Sequence, residues 1–129
     1  MYKEDLELAK KARQLAYSPY GNFGVGVALR TKSGKIYTGC NIENYGIQSI
    51  CGERTAFVKA LSEGEKEFEC ITVVGAEIGK EPEEECLPCG YCRQFMSEFV
   101  DADFKVYVYN GNEVRGYTIK ELLPHSFSL

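Results

Sequence analysis

Six cysteines and a single histidine bound the chemistry this chain can perform. Cys51, Gly52 and Glu53 stand together, and further along come Pro88, Cys89, Gly90, Tyr91 and Cys92. A Cys-x-x-Cys at a helix start puts two sulfurs at i and i+3 on one face, close enough to share a metal ion. Alone, such a pair serves equally as a redox dithiol, half of a structural zinc site or two buried thiols. Cys51 adds a third sulfur, also where a helix should begin and two residues before an acid. Three thiolates leave one tetrahedral position for water, the arrangement of a zinc site that hydrolyses rather than one that only holds structure. Residues i and i+2 do not share a face of a regular helix, so Cys51 and Glu53 converge only if Cys51 lies at the first turn or just before it. Three thiolates also weaken the acidification of a bound water, so positive charge must stand near them. Two helix N-termini, together with Arg54 and Arg93 beside the ligands, are available for this charge compensation. His125 is the one histidine. A His-rich metal site is therefore excluded, and a Ser-His-Asp or Cys-His site would have to be built around it.

These residues need elements to position them. Leu8, Ala12, Leu15 and Ala16 recur at helical spacing, which predicts a helix over 4–16 ended by Ser18, Pro19, Tyr20 and Gly21. Phe23, Val25, Val27 and Leu29 alternate with Gly24, Gly26 and Ala28. That pattern predicts a strand with one bulky face and one nearly bare face on which a helix can lie closely. Lys32, Ser33 and Gly34 turn the chain into a partner strand over 36–41. A second helix is predicted over 52–63, burying Ala56, Phe57, Ala60 and Leu61 and stopped by Gly64. Residues 70–76 are nearly all apolar, as a strand covered on both faces should be. The acidic stretch Glu77 to Glu85 reads as a solvated loop. Pro88 opens a helix whose buried side is Cys92, Phe95, Met96 and Phe99. A strand over 104–109 and a turn at Asn110 and Gly111 follow, and Thr118 with Glu121 forms a capping-box pattern for a short terminal helix. The expected order is helix, strand, strand, helix, strand, helix, strand. This is an α/β fold with a mixed sheet between two helical layers.

The chain has 129 residues, with 44% hydrophobic and 26% charged residues. That is the composition of a globular chain, and one domain over 1–129 is expected. No apolar run approaches membrane-spanning length. Net charge is −4, and a polynucleotide partner usually demands a basic stripe to neutralise phosphates, so a small neutral ligand is favoured over nucleic acid. Six cysteines in so short a chain could form three disulfides, as in secreted domains. The opening MYKEDLELAKKARQLA is charged throughout, without an apolar segment or cleavage-site pattern, so reduced thiols and a cytoplasmic location are expected.

The order ligand, x, Glu, then Pro-Cys-x-x-Cys is that of the zinc deaminases, in which three cysteines can serve as ligands. The strings NFGVGVAL, GCNIEN, ICGERTAF and LPCGYCRQ together resemble the short zinc-dependent cytidine deaminases, and ELLPHSF is similar to that family's ending. The resemblance spans residues about 17 to 127. It implies a three-layer α/β/α deaminase domain, a homotetramer with active sites shared between subunits and one catalytic zinc per subunit. The implied reaction is hydrolysis of cytidine and deoxycytidine to uridine and deoxyuridine with release of ammonia. Carried over by position, Cys51, Cys89 and Cys92 would bind zinc. Glu53 would shuttle protons from the attacking water to N3 and then to the leaving amine. Asn41 and Glu43 resemble the pair that hydrogen-bonds ribose hydroxyls, Phe23 the aromatic packed on the nucleoside, and Phe127 one reaching from a neighbouring subunit. The Gly52 N–H would face the pyrimidine carbonyl.

The sequence departs from that pattern in places. Gly52 stands where alanine is common, which preserves the backbone donor, and Leu87 where serine is usual before Pro-Cys. The segment NIENYGIQSIC is one residue shorter than usual, leaving Tyr45 out of register with the aromatic near the ribose 5′ end. Cys86 could offer a fourth thiolate, but Pro88 bends the chain between it and Cys89, so it is expected outside the site. Cys40 and Cys70 are expected to be core residues. One alternative keeps the zinc chemistry on another aminated nucleoside or a cytosine-containing antibiotic. Another is a zinc-stabilised binding module with four thiolates or a redox protein with a Cys89 to Cys92 disulfide, neither of which has a use for Glu53.

Overall fold

The computed structural model describes residues 1–46 and 49–129, so Ile47 and Gln48 of the shortened segment lie outside the described residues. The elements run α1 (Lys3–Arg13), β1 (Phe23–Thr31), β2 (Ile36–Cys40), α2 (Gly52–Ser62), β3 (Phe68–Glu77), α3 (Gly90–Phe99), β4 (Lys105–Tyr109), β5 (Val114–Thr118) and α4 (Ile119–Leu122). The sheet order is β2-β1-β3-β4-β5. β3 and β4 pair in parallel through the α3 crossover, and the other neighbours are antiparallel. The sheet is therefore mixed, as expected.

The two faces follow from the alternation in β1. On the bare face, a Cβ built on Gly26 would come within 2.1 Å of the Ala9 carbonyl oxygen in α1, so only glycine lets that helix lie so close. Ala9, Ala28 and Val74 are fully buried there. On the bulky face, Val27, Leu29, Ile71, Val73, Val106 and Val108 pack under α2 and α3. Phe57 is the hub of that layer, with Phe68 at 4.9 Å and Phe95, Phe99 and Phe104 between 6.2 and 6.5 Å, ring centre to ring centre. Truncating a buried phenylalanine of this kind costs about 3–5 kcal/mol.

Four expectations are corrected. α1 stops at Arg13, leaving Leu15 exposed. The apolar spacing continues past the last turn, but the helix cannot follow it, because Tyr17 already pairs with Ile42 as a bridge. β5 was not expected: Val114–Thr118 carries Arg115 and Gly116 and is exposed along much of its length, so it shows no apolar alternation. The acidic stretch is not wholly solvated, since Pro82 is buried and Glu85 is held by β5. Cys70 is buried as expected, whereas Cys40 is only half-buried on the edge strand β2. The capping box at Thr118 and Glu121 is present.

Antiparallel pairing brings the start of β1 beside the end of β3, Phe23 opposite Glu77, and beside the end of β2, Gly26 opposite Cys40. α2 follows β2 and α3 follows β3, so both helices begin at this one end of the sheet. Loops from three strands converge there.

Candidate metal centre

Cys51 and Cys89 occupy equivalent places, each the N-cap of its helix with extended backbone, ψ 153° and 168°. Cys51 thus lies just before the first turn, the position from which its sulfur and the Glu53 carboxyl can face the same point. Cys92, one turn into α3, is fully buried. The three sulfurs lie within 4.8 Å of one another, and those of Cys51 and Cys89 are 3.7 Å apart. A tetrahedral zinc with sulfurs at about 2.3 Å requires an edge of about 3.8 Å between them. The donor set and spacing fit zinc, and the orphan N–H groups of two helix N-termini direct positive potential at it.

The electrostatics around the sulfurs are uneven. Arg54 donates from Nη2 to the Cys51 sulfur at 3.4 Å, and its guanidinium lies 4.0 Å over the Tyr91 ring. Its Nε is buried without a hydrogen-bond partner among the described residues. A hydrogen bond with Cys92 draws the Cys51 thiol well below its ordinary range, with Arg54 and Cys89 adding to the effect, and the same bond holds Cys92 up. Glu53 is 4% exposed. Burial pushes its carboxyl up to about 7, aided by Cys51 and opposed by its own backbone N–H and Arg54. A divalent cation on the three sulfurs would pull it back towards the anion.

Cys86 is kept out of the cluster. A Cβ on Gly75 would lie 2.5 Å from the Cys86 sulfur, so this thiol sits over β3 at a glycine, and burial pushes it up to about 12 with help from Glu53 and Cys51. Arg93 does not do what its neighbour Arg54 does. It donates to the carbonyls of Pro88 at 2.7 Å and Leu122 at 2.8 Å. It ties α4 to the loop before α3, and of the two arginines only Arg54 meets a sulfur.

The remaining sequence-predicted residues lie at the same end of the sheet, with one exception. Phe23 is 40% exposed. Asn41 fastens the strand just after it, on both sides of Gly24, accepting from Val25 N–H and donating to the Phe23 carbonyl, each at 2.8 Å. Glu43 accepts from the N–H groups of Tyr20 and Gly21, and the Tyr20 bond leads in holding its carboxyl below the usual range. Gly52 is buried at the first position of α2. Phe127 is the exception: it is 66% exposed and lines a crevice of about 950 Å³ with Tyr91, Gln94 and Phe95 on the outer side of α3. Its carbonyl accepts from Gln94. Tyr45 is almost wholly exposed, its ring 6.4 Å from that of Tyr20.

Two residues escaped the sequence. Tyr91 stacks on Arg54, and its place inside the Cys-x-x-Cys was the available signal. Arg13 is buried and, among the described residues, its side chain donates only to carbonyls, at Gly24, Ala76, Glu77 and Lys80. It fastens the strand ends behind Phe23, and nothing in a helical pattern announces such a role.

The chain is similar to known proteins. The cytidine and deoxycytidylate deaminase zinc-binding region matches residues 2–109. A cytidine deaminase of Sporosarcina psychrophila is 44% identical over 122 residues, covering 93% of this chain and 86% of that one. A Blasticidin-S deaminase of Bacillus cereus is 33% identical over 132 residues, covering 98% and 94%. The crystal structure of cytidine deaminase from Burkholderia pseudomallei superposes with a TM-score of 0.87 at 42% identity, covering 98% of this chain and 100% of that one.

Proposed function

The chain belongs to the zinc-dependent cytidine and deoxycytidylate deaminase family, and from that premise we propose that it hydrolyses cytidine and deoxycytidine to uridine and deoxyuridine, releasing ammonia. The observation that carries this is the buried Glu53 carboxyl beside three convergent sulfurs, because a structural metal site has no use for it. Cys51, Cys89 and Cys92 would hold one zinc per subunit, which would supply Lewis acidity at the attacking water.

Glu53 moves the protons. It accepts one from the attacking water as the new C4–O bond forms and delivers it to N3 of the base, then takes the second from the new C4 hydroxyl and passes it to the amine as the C4–N bond breaks. Water and cytidine thus become uridine and ammonia with no other reactant. Arg54 offsets the thiolate charge at Cys51. The N–H of Gly52, at a helix N-terminus, faces the pyrimidine carbonyl. Asn41 and Glu43 each keep lone pairs unused by the strand and turn they hold, and Asn41 keeps one amide hydrogen, which suits paired ribose hydroxyls. Phe23 offers its exposed ring to the nucleoside.

Residues 1–129 act as one catalytic unit within a homotetramer, in the cytoplasm and in pyrimidine salvage. Phe127, exposed on the outer side of α3, serves a neighbouring copy. The likeness to a Blasticidin-S deaminase supports a second reading, the same hydrolysis on a cytosine-containing antibiotic. Ultraviolet absorbance of cytidine with the native chain and with Glu53→Ala tests both. Conversion by the native chain alone is expected. No conversion of cytidine, with zinc bound and blasticidin S consumed, would move the assignment to the second substrate.

A further inference from the structure

The three sulfurs are not equally supported. Cys92 is fully buried in the core, and Cys51 is held by Arg54. Cys89 is exposed, and its sulfur has one polar neighbour among the described residues, that of Cys51. Its place is set by the chain that leads into it.

That chain is fastened at successive points. Glu85 accepts a hydrogen bond from the Tyr117 hydroxyl at 2.7 Å, and Arg115 Nε stands 3.4 Å from its other oxygen. Cys86 is seated on Gly75 of β3, and the Pro88 carbonyl is held by Arg93. Upstream, the Pro82 carbonyl lies over Gly111 in the β4–β5 turn, where a Cβ would come within 2.1 Å of it. The Glu85 side chain is only 19% exposed, which sets it apart from a freely solvated surface ion pair. Two of these attachments belong to the β4–β5 hairpin, an element that contributes no metal ligand.

We propose that Glu85, held by Tyr117 and Arg115 of β5, is a positioning residue that sets the place of the Cys89 sulfur. The inference rests on Cys51, Cys89 and Cys92 being the zinc ligands. Preorganised ligands bind metal more tightly than ones that must be gathered, and partners behind the ligands are commonly worth tenfold or more in affinity. The carboxylate acts through the backbone of 85–89 and touches neither metal nor substrate.

Cobalt(II) is the probe, since thiolate-to-cobalt absorption reports binding and ligand geometry without reference to activity. The full native chain, Glu85→Ala, Glu85→Gln and Tyr117→Phe are titrated with cobalt against a competing chelator, and their melting is recorded without metal. Glu85→Ala and Tyr117→Phe should remain folded, bind cobalt about tenfold more weakly with an altered band shape, and lose kcat while keeping KM. Glu85→Gln keeps an acceptor for Tyr117 and should recover most of the affinity. A residue that merely stabilised the fold would lower the melting temperature and leave the cobalt spectrum alone. Native affinity and band shape in a folded Glu85→Ala or Tyr117→Phe overturns the proposal while leaving the zinc reading intact. A native chain without thiolate-to-cobalt absorption overturns both.

Discussion

Arg30 and Arg54 lie on opposite faces of the same sheet, and each stacks on a tyrosine, Tyr2 at 3.8 Å and Tyr91 at 4.0 Å. Their remaining partners differ. Under α1, Arg30 Nε and Nη2 donate to the two oxygens of fully buried Asp5 at 3.1 and 2.7 Å, and Glu4 stands 3.5 Å away. That pair is closed within the chain. At the start of α2, Arg54 reaches one sulfur and leaves its Nε unpartnered, and Glu53 is buried outside any ion pair among the described residues. Buried polar groups are ordinarily satisfied, and leaving one unmet costs about 1–3 kcal/mol. Besides Thr72 Oγ1 in β3, the Arg54 Nε is the buried side-chain polar atom left unmet among the described residues, and it stands beside the sulfur cluster that an outside group would complete, whereas the closed pair at Arg30 only secures a helix.

The comparison breaks if the two clusters respond alike. The largest separation is expected from Glu53→Gln, which should lower kcat by about 10²–10⁴ and leave zinc content and melting near native. A loss below tenfold in the deamination assay would remove Glu53 from the proton path. On the other face, Arg30→Met strands the Asp5 carboxylate and should cost about 3 kcal/mol in urea unfolding, with KM for cytidine unchanged. Adding Asp5→Leu to it should return much of that stability, because two apolar residues leave no buried charge behind. Arg54→Gln should weaken zinc on the order of tenfold against a chelator with a small change in melting. Equal loss of stability and of metal would make Arg54 another Arg30.

The smallest effect concerns the thiol in the closed cluster. Burial pushes Cys70 up to about 12, with Asp5 and Glu69 adding to it. Its folded value lies above the unfolded one of about 8.5. The neutral thiol therefore favours folding fully below about pH 8.5, and this contribution is lost as pH rises towards 12. Cys70→Ala should flatten the alkaline decline in stability, measured by urea titration between pH 8 and 10. An identical slope in the variant would mean that other groups carry the decline.

Much of this was legible because it is local. The helix starts at Cys51 and Cys89, the bare face of β1, the buried side of α3 and the box at Thr118 are patterns within a few residues, set by periodicity and capping. β5 was missed because an edge strand with one solvated face, containing Arg115 and Gly116, carries no such period. Arg93 was placed with the ligands because it follows Cys92, yet its side chain crosses to Leu122. Adjacency along a helix fixes neither direction nor partner.

The sequence by itself determined which residues can do chemistry: three thiols, one acid at i+2 from the first of them, and the helix N-termini that carry them. Side-chain type and short-range geometry suffice for that. Only the tertiary structure decided that Cys51 and Cys89 meet, that Cys86 turns onto Gly75, that Asn41 and Arg13 secure the strand around Phe23, and that Glu85 is held by β5. Those contacts join residues 11 to 64 positions apart along the chain. Packing of the two faces of one sheet selects them, and no local pattern encodes which distant partner it will bring.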